Sequence, residues 1–136
     1  MPGNGKWIDV SVPLYTGVVH WPGDPVPSFE LISSIDRGAD ANVTLCRMTA
    51  HTGTHMDAPC HFLHGQAGID RFPIEYGIGR ARVIAVPEEV RIVGKAELEG
   101  RGIQRGERVI LKTGNSRKRW DDRDFQPGFV ALNASA

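Results

Sequence analysis

Four of the chain's five histidines fall within residues 51–64, in the run His51-Thr52-Gly53-Thr54-His55-Met56-Asp57-Ala58-Pro59-Cys60-His61-Phe62-Leu63-His64. Imidazole nitrogens and a carboxylate oxygen are the usual donors for a first-row divalent ion, and a catalytic site presents three of them plus an open position for water. His51 and His55 are four apart, the spacing of a metal-binding helix, but Thr52, Gly53 and Thr54 between them are poor helix formers, so the spacing predicts a loop. Gly53 admits backbone angles closed to other residues, and a tight turn there brings both imidazoles and the Asp57 carboxylate toward one point. Pro59 has no N–H to give a β-ladder and suits the first turn of a short helix, which places His61 on a neighbouring segment, near a metal without being bound to it. A lone histidine is usually a surface or hydrogen-bonded core residue, and His20 and His64 read that way. His51, His55 and Asp57 together read as metal ligands.

The surrounding chain reads as short strands. Ile8, Val10 and Val12 alternate with Asp9 and Ser11, which predicts a half-buried strand over Trp7–Leu14 ended by Pro13. Trp21-Pro22-Gly23-Asp24 predicts a type II turn, with Trp21 an ordinary core aromatic on this evidence alone. Strands are expected over Phe29–Ile35, Val43–Ala50, Ala81–Val86, Glu107–Thr113 and Phe129–Leu132. A turn is expected over Asp36–Asp40 and a short helix over Gly94–Glu99. Val43–Ala50 delivers His51 to the rim of a sheet. Cys46 reads as a small buried hydrophobe and Cys60 as a packing residue. The basic run Arg117-Lys118-Arg119 reads as a solvated face offset by Asp121, Asp122 and Asp124. Asn133-Ala134-Ser135 reads as the approach to a further helix, with Ser135 as its N-cap.

Bulk properties bound the function. At 136 residues the chain is long enough for one domain with a core. Sixteen basic and sixteen acidic residues cancel, which argues against a nucleic-acid or acidic-membrane binder and for a small-molecule partner. Two cysteines imply no disulfide framework and, with no secretory leader before Trp7, a cytoplasmic setting. No apolar run reaches the roughly 20 residues needed to cross a bilayer.

The run H-T-G-T-H-M-D-A-P-C-H-F resembles the signature of the cyclase or kynurenine formamidase family of metal-dependent hydrolases, H-x-G-T-H-x-D-A-P-x-H-F, at every fixed position. The likeness extends to Trp7–Leu14, Trp21–Asp24 and Gly106–Gly114. It implies metal ligation by His51, His55 and Asp57, with zinc or manganese as the metal, a proton-transfer role for His61, and Trp21 in the wall of a substrate pocket. It also implies hydrolysis of a small amide or ester and a β-rich α/β fold of the layered, swivelling β/β/α type, found as homo-oligomers. Family members are longer, and their second half supplies a further His and Glu that complete a two-metal site. No histidine follows His64. Residues 1–136 are therefore expected to form a single cyclase-like domain, truncated at its C-terminal part, with an exposed edge that needs covering. A metal-binding but catalytically inactive remnant is the rival expectation.

Overall fold

The computed structural model describes residues 7–117 and 124–136, and its contacts gather into two units. The first comprises Met1–Asp57 with Trp120–Phe125, and the second Ala58–Arg119 with Gln126–Ala136. Strands and turns dominate both, and the one α-helix among the described residues is a single turn.

The first unit is built on an antiparallel hairpin. β1 (Ser28–Ser33) and β2 (Val43–Arg47) pair from Ser28 opposite Arg47 to Ser33 opposite Val43, with a register shift between Leu31 and Ser33. Between them a 3-10 turn over Ile35–Arg37 closes on Gly38 at φ 85, a left-handed conformation that favours glycine. The Asn42 side chain accepts from the Ile35 N–H at 2.9 Å and holds this turn against β2. Val18, 1% exposed, and Pro27 are the buried apolar anchors, and the Gly17 N–H donates to the Pro27 carbonyl at 2.9 Å.

Trp7–Leu14 does not form the expected strand. Its alternation has the right period, but the backbone N–H groups of Ser11 and Val12 are taken by side chains. The Ser11 N–H and hydroxyl both donate to Asp9 Oδ1, and the Val12 N–H donates to Thr54 Oγ1 at 3.1 Å. Local side-chain bonds of this kind compete directly with a β-ladder. Trp7, Ile8 and Val10 are 78%, 77% and 66% exposed, so no burial rewards pairing. The Ser11 hydroxyl, and then its N–H, hold the Asp9 carboxyl below the usual aspartate range. Cys46 also departs from expectation. It lies on β2 opposite Phe29 but is exposed.

The second unit is parallel. β3 (Ala81–Ala85) pairs with β5 (Arg108–Lys112), and β4 (Ile92–Val93) pairs with β6 (Ala131–Leu132). Parallel pairs need a crossover, and α1 (Lys95–Leu98) lies on the connection that follows β4. The core is Val86, Val93 and Val130 with Val90, Leu98 and Leu111 packed against it, and Val93 is 1% exposed. Asn115 completes this core. Its Nδ2 donates to the Val130 carbonyl at 3.2 Å and its Oδ1 accepts from the Val130 N–H at 2.8 Å, satisfying a buried residue that follows no ladder. Ser135 caps α1 from a distance in sequence, its hydroxyl accepting from the Lys95 N–H at 3.0 Å. The Gly94 N–H donates to Glu97 Oε2 at 2.7 Å. Arg117 pairs with Glu88 at 2.8 Å, whereas Lys118, Arg119, Asp121 and Asp122 lie outside the described residues.

Candidate metal centre

β2 ends at Arg47, short of the expected Ala50, and the chain turns through Thr49–Thr54. Two features shape that turn. Thr52 is buried at 5% exposure, with its hydroxyl 3.4 Å from that of Thr49, and Gly53 sits at φ +69. The backbone angle demands glycine, and a Cβ there would stand 2.7 Å from Leu14 Cδ2, so the end of that side chain would have to shift as well.

The turn gathers three of the side chains singled out in the sequence. His51 Nδ1 lies 2.8 Å from Asp57 Oδ1, and His55 Nε2 lies 3.5 Å from the same oxygen. The two imidazoles meet edge to face, with centroids 5.1 Å apart and planes at 77°. His55 Nδ1 lies 2.9 Å from the Gly53 carbonyl. A carbonyl only accepts, so Nδ1 donates to it, and Nε2 is the ring nitrogen left on the Asp57 side. This is the arrangement in which a ligating histidine is oriented through its other nitrogen.

Two imidazoles and a carboxylate are donors of the kind a divalent ion takes. Ligand atoms about 2.1 Å from a tetrahedral metal stand roughly 3.4 Å from one another. The His55–Asp57 separation of 3.5 Å is close to this value, and the His51–Asp57 separation of 2.8 Å is shorter, a hydrogen-bond distance. Side-chain exposures of 34%, 31% and 41% for His51, His55 and Asp57 leave the group within reach of solvent and of a small molecule.

Asp57 closes the first unit and Ala58 opens the second. His61, in the second, ends a 3-10 turn over Pro59–His61 that has Pro59 at its first position, as the sequence predicts. Its N–H donates to the Ala58 carbonyl at 2.9 Å, and its ring packs against Phe62 with centroids 4.2 Å apart. Cys60 on the same turn is exposed rather than packed, because the turn buries none of its residues.

Trp21 stands on the expected type II turn, in which the Asp24 N–H donates to the Trp21 carbonyl at 3.1 Å and Gly23 has φ 95. It is 55% exposed and meets Phe125 edge to face at 5.1 Å. Sequence reasoning assigned no role to Asp24 or Thr49. Here Thr49 Oγ1 donates to Asp24 Oδ2 at 3.1 Å, a link that only folding brings about. His20 Nδ1 lies 3.0 Å from the Val18 carbonyl, in keeping with a hydrogen-bonded structural residue. No helix among the described residues is long and apolar enough to cross a membrane.

A kynurenine formamidase of Bacillus anthracis is 36% identical over 122 residues, which cover 90% of this chain and 58% of the relative. A solved structure described as a potential metal-dependent hydrolase with cyclase activity superposes with a TM-score of 0.73 at 24% identity, over 94% of this chain and 58% of that one. A second, described as a predicted metal-dependent hydrolase from Bacillus stearothermophilus, does so with a TM-score of 0.70 at 25% identity, over 94% of this chain and 60% of that one. The chain thus spans less than two thirds of the length of each. The Cyclase family model matches residues 8–135, through both units and through the His51–His61 run, and the chain belongs to that family.

Proposed function

We propose that the chain carries the metal-binding part of a hydrolase acting on a small amide or ester, of the kind that converts N-formylkynurenine to kynurenine and formate in tryptophan catabolism. The observation that carries this reading is the convergence of His51 and His55 on one oxygen of Asp57. These three residues would hold the metal, zinc first and manganese second, and when bound it supplies Lewis acidity that makes water nucleophilic near neutral pH and polarises a carbonyl. The Gly53 carbonyl keeps the His55 tautomer suited to ligation. Hydrolysis adds hydroxyl to the formyl carbon and a proton to the departing nitrogen, and His61 delivers that proton. Trp21, exposed at the turn, offers an indole face to an aromatic substrate. The layered, swivelling β/β/α arrangement of one cyclase-like domain, a homo-oligomeric assembly and a cytoplasmic setting belong to the same proposal.

A second reading has its own support. The chain spans 58% of the Bacillus anthracis relative, and in this second reading it binds metal without turning substrate over. One experiment separates the two. Metal content is measured on the purified chain, and N-formylkynurenine hydrolysis is assayed with zinc or manganese supplied. Metal binding with turnover supports the hydrolase, metal binding without turnover supports the second reading, and a chain that takes up neither metal overturns both.

A further inference from the structure

Asp24 links two parts of the first unit that the proposed function uses separately. Its backbone N–H closes the turn that presents Trp21, and its carboxylate accepts from Thr49, two residues before His51. A carboxylate oxygen only accepts, so the single Thr49 hydroxyl proton is committed to Asp24. The contact of Thr49 with Thr52 must then run from the Thr52 hydroxyl to Thr49 Oγ1. The result is a one-way chain, Thr52 to Thr49 to Asp24, whose hydroxyls flank His51 on either side and point toward one negative charge. Its first link is the longer, at 3.4 Å, and the bond to the carboxylate is the firmer at 3.1 Å. Thr52 is almost fully buried, and Asp24 and Thr49 are half-buried, so the chain is partly shielded from competing water.

We propose that Asp24 is a positioning residue that ties the Trp21 turn to the His51 loop and thereby holds the metal ligands in register. This rests on the metal reading above. Without the carboxylate, Thr49 loses its acceptor and the His51 loop loses this link to the Trp21 turn. The ligands then spend part of their time apart, and metal affinity falls although no ligand has changed.

The test is zinc affinity, measured on the full chain by competition with a chromophoric chelator, together with thermal unfolding of the metal-free protein. Asp24→Ala is expected to weaken zinc binding about tenfold, at the lower end of what losing an outer hydrogen-bonding partner of a metal site costs. Asp24→Asn keeps an acceptor oxygen and is expected to restore affinity to within about threefold of the original. Thr49→Val removes the donor at nearly equal volume and is expected to match Asp24→Ala, and it decides the matter if Asp24→Ala does not fold. Unchanged affinity in Asp24→Ala or Thr49→Val, with the original chain binding zinc normally, overturns the positioning role alone. Equal losses in Asp24→Asn and Asp24→Ala also overturn it, since charge rather than the hydrogen bond is then at work. An original chain that binds no zinc sinks the metal reading, and this role with it.

Discussion

At the scale of single residues, the candidate centre depends on a few groups with little tolerance. Asp57 serves both imidazoles with one oxygen, so Asp57→Asn removes the charge while leaving the side chain's shape. It is expected to lower zinc affinity by more than the roughly 10- to 100-fold that losing a group hydrogen-bonded to a ligand costs, as measured by chelator competition. Gly53→Ala places a methyl group 2.7 Å from Leu14 Cδ2 on a backbone at φ +69. The left-handed conformation alone costs on the order of 1–2 kcal/mol, and urea unfolding of the variant should show at least that loss. Asp9 gives a pH signature of its own. Its folded value is lowered by Ser11, so the stability it contributes is present above the ordinary aspartate range and is lost as pH falls through the lowered value. Ser11→Ala removes the hydroxyl and keeps the N–H, so it is expected to move the Asp9 titration, followed by NMR, part of the way back toward the ordinary range.

At the scale of elements, the second unit rests on two short parallel pairs joined through a small valine core. Val93→Ala in β4 is expected to cost about 1–3 kcal/mol in urea unfolding, the range for deleting most of a fully buried valine from a core with few neighbours to collapse inward. The Trp21–Asp24 turn was fully legible, because Pro22 presets one backbone angle and Gly23 alone suits the next. The Pro59 turn was legible for the same kind of local reason. Trp7–Leu14 was misread as a strand, since alternation reports which face could be buried and not whether a neighbouring strand exists to pair with. β4 escaped notice because two residues carry no periodicity, and its pairing with β6 joins positions about forty apart in the chain.

At the scale of the whole chain, binding and chemistry can be pulled apart. Imidazole must be unprotonated to ligate, so zinc uptake is expected to release protons and to weaken as pH is lowered, measurable by calorimetry in buffers of different ionisation enthalpy. Turnover is expected to depend on more than these residues. Joining the chain to the portion of the Bacillus anthracis relative that it does not match should raise N-formylkynurenine hydrolysis well above that of the chain alone, and equal rates would show that the shorter chain holds a working site.

The sequence by itself determined the identity and spacing of the donors, the glycine and proline positions that bend the chain around them, and the strand-rich character of the fold. These are local properties, set by which backbone angles and which donor atoms each residue possesses. Tertiary structure alone decided that His51 and His55 meet on a single Asp57 oxygen, that Thr54 rather than a strand occupies the Val12 N–H, and that Asp24 reaches Thr49 across 25 positions. Contacts between residues far apart in the chain depend on which loops close and on which competing partner captures each hydrogen-bonding group, and neither is written in any short stretch of sequence.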